Sequence, residues 1–184
     1  MVPEASREET EHGTVFKADG WYVLNARDAR WYHVDGRGAH CDFEGDAEFS
    51  QLGMNIMVLG PGEAMAMYHW EADQEDFLVL SGDALLIIEG EERPLRAWDF
   101  VHCPPNAKHT IVGAGKGPCV VVAVGARIDS VDNPSWGGYT VDDVALRHEA
   151  GVEEETTEPD VAYTAVRAKY GLREPQRCRD GWLP

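Results

Sequence analysis

Two imidazoles and two carboxylates are spaced in this chain as ligands of one cation would be. His69, Glu71 and Glu75 lie in GEAMAMYHWEADQEDFLVLSG, residues 62–82, just ahead of an apolar run that ends at a glycine turn, and His109 follows in CPPNAKH. Histidine nitrogens and carboxylate oxygens hold divalent metals such as iron, manganese, nickel, zinc or cobalt. Side chains alternate across a strand, so His69 and Glu71 share a face, with Met65 and Met67 on the same parity. Glu75, beyond a short turn at residues 72–74, can return from the next strand, where Phe77 and Val79 continue its face. His109 comes from a distant segment, and the prolines of PPNAKH can aim it back. Two carboxylates beside an FLVL core strand are costly to bury without a cation. On the other reading they are surface carboxylates of an acidic chain.

Other titratable groups are weighed against this set. Glu71, if it is not a tight ligand, can serve as a general base beside the metal. Tyr68 and His102 are near in sequence, and alternation leaves open whether His102 or Cys103 faces the interior. His33, His40 and His148 read as hydrogen-bonded structural histidines.

The elements that must position these residues are short strands. Candidate strands run at 52–59, 64–69, 77–80, 84–89, 93–95, 99–103, 110–112 and 119–124, separated by the turn signals PGE, SGD, EGEE, PPN and GAGKGP. LLIIEGEERPL reads as a hairpin with Gly90 in its turn. Strands this short and closely spaced indicate an all-β sandwich or barrel rather than a parallel sheet with crossover helices. Residues 1–19 read as a flexible N-terminal arm, 20–127 as the barrel, and 128–184 as an extension beginning with the loop DSVDNPSWGG. In that extension Thr140 offers an N-cap to one short helix, while Thr157 and Pro159 open a second that stops at Gly171.

Composition narrows the partners. The 184 residues carry a net charge of −17, from 33 acidic against 16 basic side chains, which repels nucleic acid and anionic lipid. The first residues are polar and no apolar run approaches the ~20 residues of a membrane span, so a cytoplasmic location is expected. The four cysteines, Cys41, Cys103, Cys119 and Cys178, form no CxxC pair, which argues against a thiolate zinc site and a disulfide framework. There is no G-x-S-x-G elbow, no P-loop and no G-x-G-x-x-G after a strand.

The motifs resemble those of the cupins, small jelly-roll barrels built as a double-stranded β-helix. Their first motif, commonly G-x5-H-x-H-x3–4-E-x6-G, is met by Gly62, His69, Glu71, Glu75 and Gly82. Their second, G-x5-P-x-G-x2-H-x3-N, is met by Pro104 and His109, with Trp98 at the first glycine position and Asn106 at the second. The resemblance implies a cupin-type barrel with a short C-terminal helical tail, the look of a single-domain cupin. It also implies metal-ligand roles for His69, Glu75 and His109. Glu71 stands where a second histidine is usual, giving two histidines and two carboxylates. Gly62 lies one residue further from His69 than the motif expects, and Gly113 replaces the asparagine.

Two functions follow from that resemblance. One is a metal-dependent enzyme of dioxygenase, isomerase or lyase type acting on a small polar metabolite. The other is a non-catalytic module that binds or senses a small molecule. Metal-free acid–base catalysis is a third possibility, although two carboxylates would strain an empty site. Related barrels often pair through their N-terminal strands, so a homodimer using WYVLNARDARWYHV is expected.

Overall fold

A computed structural model describes residues 1–18, 20–47, 49–128 and 136–184; most of the DSVDNPSWGG loop therefore lies outside the described residues. The chain folds in order through β1 (Arg7–Thr10), β2 (Gly13–Phe16), β3 (Arg30–Val34), β4 (Arg37–Asp42), β5 (Leu52–Leu59), β6 (His69–Glu71) and β7 (Glu75–Ser81). It continues through β8 (Asp83–Ile88), β9 (Glu91–Arg96), β10 (Phe100–Cys103), β11 (His109–Gly113), β12 (Cys119–Ala126) and β13 (Gly137–Tyr139). Three short helices, α1 (Asp143–Arg147), α2 (Pro159–Ala162) and α3 (Thr164–Tyr170), precede a last strand, β14 (Glu174–Arg177). Beside the β1–β2 hairpin there are two antiparallel sheets, ordered β10-β7-β12-β5-β4-β3-β14 and β13-β6-β11-β8-β9. This is the all-β architecture that the strand spacing predicts, in the jelly-roll form that the resemblance implies.

The core lies between the two sheets and follows from alternation along each strand. On β7 the odd residues Phe77 and Val79 point inward, where they meet Met57 and Leu59 of β5, Leu86 of β8, Val101 and Cys103 of β10, Ile111 of β11 and Val121 of β12. Each large apolar side chain buried there contributes about 1.5–3 kcal/mol. Strand β11 is buried along its whole length. Its Ile111 faces this core, while Val112 packs on the opposite side with Tyr68, Ile87 and Ala145 of α1. The C-terminal extension thus covers the outer face of the five-stranded sheet and anchors the strand that carries His109.

Several local expectations are corrected. The predicted strand 64–69 begins only at His69; residues 65, 66 and 68 are bends. Alternation therefore breaks, and Met65 joins the inter-sheet core while Met67 packs with Tyr139, Val152 and Ala162. The arm expected to be flexible over 1–19 contains a hairpin, because the GTVF segment of β2 buries all four of its residues. Phe16 there stacks on Tyr22 at 3.9 Å. Asp142, not Thr140, caps α1, its carboxylate accepting from the Ala145 amide at 2.8 Å.

The second predicted helix is divided in two at Tyr163, whose hydroxyl accepts from the Met67 amide at 3.1 Å, a contact that holds the side chain against the barrel. After Gly171 the tail returns as β14 alongside β3, so both edges of β3 are paired within the chain. Among the described residues no helix is long and apolar enough to cross a membrane.

Candidate metal centre

His109, His69 and Tyr139 stand side by side on adjacent strands. In register, His109 of β11 faces His69 of β6, and His69 faces Tyr139 of β13. Directly opposed side chains in a sheet are close enough to interact; the two imidazole centroids are 4.9 Å apart. Glu75 arrives from the other sheet. It shares parity with Phe77 and Val79 on β7 and so points into the same interior. His69, Glu75 and His109 each offer one ligand atom, all within 4.8 Å of one another. Glu75 Oε2 is 3.2 Å from His109 Nε2 and 3.5 Å from His69 Nε2.

The turn before β11 sets His109 in place. The Asn106 amide donates to the Glu71 carbonyl at 2.8 Å, and Ala107 N–H closes back on Pro104 at 3.1 Å. His109 Nδ1 then donates to the Ala107 carbonyl at 2.9 Å, as His69 Nδ1 does to the Met67 carbonyl at 2.8 Å. A carbonyl can only accept, so each Nδ1 carries a hydrogen. In the neutral rings each Nε2 therefore presents a lone pair toward a carboxylate that also presents lone pairs. Glu75 Oε2 and His109 Nε2 are buried and have no hydrogen-bond partner. Native proteins seldom leave such atoms orphaned, and a cation between them would satisfy both. The residues fit a metal.

Electrostatics follow the same geometry. Burial opposes the Glu75 charge, but His109 and His69 outweigh it and hold the carboxyl down at about 2. Burial likewise opposes charge on His109, yet contacts with the Cys103 thiol and Glu75 push the imidazole up to about 10, so without a cation Nε2 holds a proton toward Glu75, and a bound metal would take that proton's place. Glu71 stands apart. Its Oε1 lies 3.8 Å from His69 Nε2, and it does not belong to the three-residue cluster. Burial, followed by the neighbouring Glu75 charge, raises the Glu71 carboxyl to about 7. Both acids lie beside Gly125 of β12, where a Cβ would make only ordinary contact with them, 3.9 Å from Glu75 Oε1 and 4.0 Å from Glu71 Oε2.

A cavity of about 310 Å³ opens beside the cluster, lined by His69, Glu71 and Glu75 together with apolar groups such as Met57, Met65 and Ala123. Alternation left His102 and Cys103 undecided, and the structure separates them. Cys103 is buried opposite Glu75, whereas His102 is exposed and pairs with Asp76 at 2.8 Å. Tyr68 points away from the cavity, and its hydroxyl accepts from the Gly90 amide. His40, read from sequence as structural, stacks on Tyr32 and also lines the cavity; burial, then Arg173, lowers it to about 4. Asn55, Trp136, Tyr139, Tyr163 and Arg173 line it too. No local signal marks them in the sequence, because they lie outside the recognisable motifs and reach the mouth only through tertiary packing.

Residues 55–125 match the family described as the cupin domain. No curated protein matches the sequence. Among solved structures, a sugar phosphate isomerase of the cupin superfamily from Silicibacter pomeroyi is 25% identical, covering 52% of this chain and 62% of its own, with a TM-score of 0.46. The chain thus spans less than two thirds of that protein's length. The polyketide cyclase RemF from Streptomyces resistomycificus is 14% identical over 58% of this chain and 80% of its own, with a TM-score of 0.50. A predicted oxalate decarboxylase from Thermotoga maritima is 15% identical over 57% of this chain and 98% of its own, also with a TM-score of 0.50. The last two share the fold.

Proposed function

We propose that this protein, whose residues 55–125 match the cupin domain family, is a metal-dependent enzyme acting on a small polar metabolite. In this reading His69, Glu75 and His109 hold one divalent cation, and Glu71 moves a proton beside it. The observation that carries the proposal is the pair of buried atoms, Glu75 Oε2 and His109 Nε2, that face each other at 3.2 Å with no hydrogen bond. Two imidazoles and a carboxylate suit iron, manganese, nickel, zinc or cobalt, and do not choose among them.

When bound, the metal would polarise a carbonyl or hydroxyl oxygen of the substrate. The protein's own residues do the rest. The Nδ1–H bonds to Met67 and Ala107 fix the direction of both imidazoles, a constraint that in metal sites sharpens both geometry and ligand basicity. Both acids line the cavity, and Glu71 is the more open of the two, 27% exposed against 14% for Glu75. That placement lets Glu71 take a proton from a bound molecule and return it. The apolar wall formed by Met57, Met65 and Ala123 keeps bulk water from the proton in transit.

The test is elemental analysis of protein purified without a tag. A stoichiometric divalent metal is expected, and Glu75→Gln should reduce retained metal at least about tenfold, while His102→Ala retains it. Protein that neither holds nor takes up metal overturns the reading. With metal present, oxygen consumption against a panel of small acids and diols separates oxygenase from isomerase or lyase chemistry.

A further inference from the structure

A second cavity, of about 280 Å³, lies where the C-terminal tail crosses the start of β4. Arg37, Arg167 and Arg173 all line it. Arg167 is paired with Asp160 at 2.7 Å; among the described residues the other two arginines have no such partner. Arg37 is only 3% exposed, yet its guanidinium has just the Glu149 carbonyl at 3.3 Å and the Met67 sulfur at 3.8 Å. Arg173 has just the Met65 carbonyl at 3.4 Å.

A guanidinium carries five N–H donors and stays charged at any physiological pH. Burying one without a counter-charge is costly, and two side by side repel each other. Burial lowers both from their usual range, and Arg37 adds to the effect on Arg173. The carboxylates close enough to act on them are engaged elsewhere. Glu149 receives Lys169 at 2.5 Å and Tyr170 at 2.7 Å, and Glu63 receives the Gly60 amide at 2.8 Å. The cavity therefore holds an excess of positive charge, with Arg37 buried and Arg173 half-buried, inside a protein of net charge −17.

We propose that Arg37 and Arg173 form a binding site for the phosphate or carboxylate group of a small molecule. Planar guanidinium forks match both groups, each of which presents a pair of terminal oxygens able to accept two parallel N–H bonds. Arg173 and Tyr163 line this cavity and also the one beside His69, Glu71 and Glu75. The bound group is thus the charged end of the substrate, whose polar end lies toward the metal. This last assignment rests on the active-site reading above; the anion site itself does not.

The experiment is thermal denaturation of the full-length protein, titrated with sodium phosphate or sodium malonate against sodium chloride at equal ionic strength. A saturable rise in Tm with phosphate, malonate or both is expected, absent with chloride. The tighter of the two names the group. Arg173→Gln should weaken that binding at least tenfold, and Arg37→Lys, which keeps the buried charge but loses the fork, should weaken it as well. Glu75→Gln should bind the anion as wild type does while losing metal, so a failure of the metal reading leaves this one standing. No saturable rise, undiminished binding in Arg173→Gln, or loss of anion binding in Glu75→Gln would each overturn it.

Discussion

The strand pair β7–β10 carries a histidine–carboxylate contact on its outer face, and its inner face helps build another. His102 lies in register with Asp76, and Cys103 with Glu75. Outside, His102 Nδ1 meets Asp76 at 2.8 Å with the imidazole half exposed, an ordinary solvated pair. Inside, Glu75 meets His69 and His109 at longer range, buried, and without a hydrogen bond. Residue types are the same on both sides. The outer pair is screened by water and contributes little. The inner group is buried at Glu75 Oε2 and His109 Nε2, so a cation entering there would meet a carboxylate and imidazoles little screened by bulk water. Burial, more than composition, separates a binding site from a surface ion pair.

The largest expected effect tests the packing that creates this difference. Phe77 is buried beside Glu75 with its ring 5.3 Å from His109, while Phe100 on β10 is 64% exposed. Phe77→Ala should cost about 3–5 kcal/mol in urea denaturation, and Phe100→Ala under about 0.5 kcal/mol. Equal losses would mean that the inner and outer faces are wrongly assigned. Next in size is the response to metal. Manganese added to metal-stripped protein at about 100 times its Kd should stabilise wild type and His102→Ala by about 2.7 kcal/mol, and His109→Ala by almost nothing. A His109→Ala protein that still responds fully would move the cation elsewhere.

How far the sequence reveals this arrangement depends on which residues lie on regular strands. Glu75 and Phe77 share a face by simple alternation, and the structure keeps that relation. Met65 and Met67 share parity too, yet diverge, because the chain between Ala64 and His69 bends. His102 and Cys103 could not be told apart, since alternation gives two faces without naming the inner one. The tail was the least legible part. Two helices were expected; the break at Tyr163 and the strand pairing of Glu174–Arg177 depend on contacts over 96 residues or more of chain, which no local pattern encodes. Arg37 and Arg173 meet for the same reason.

The two carboxylates facing the cavity also differ, and pH tests that difference in metal-stripped protein. Glu71 is raised to about 7 in the folded state, above the ~4.3 of an unfolded chain. The folded protein therefore holds this proton more tightly. The stabilisation is complete below about pH 4 and is lost as pH rises toward 7. Glu75, held down at about 2, acts in the opposite sense and only in acid, its contribution being lost as pH falls through 4 toward 2. Between pH 4.5 and 7.5 Glu71 should thus cost the metal-free fold on the order of 2–3 kcal/mol, read as the difference in Tm slope between wild type and Glu71→Gln, because His40, lowered to about 4, acts in the opposite sense over the same range. Removing that group in Glu71→Gln should make Tm rise more steeply, or fall less, over this range than in wild type, and leave the acid limb in place. A slope unchanged in Glu71→Gln would assign it to another group.

The smallest effect concerns a backbone position on the outer side. Trp98 stands where the cupin motif has its first glycine, and its φ is +77°; Asn106, at the second, has φ +70°. The chain keeps the left-handed turns at both places while dispensing with glycine. Asparagine tolerates that conformation, but for tryptophan it costs roughly 1–2 kcal/mol. The indole is 74% exposed, so little packing offsets the strain. Trp98→Gly relieves it, while the greater freedom of the unfolded glycine chain takes back about 0.4–1 kcal/mol. The variant should be as stable as wild type or more stable, by up to about 1 kcal/mol in urea denaturation, with metal content unchanged. A loss of more than about 1 kcal/mol would show that the exposed indole packs on something, and that the outer face of this edge is less inert than its solvated ion pair suggests.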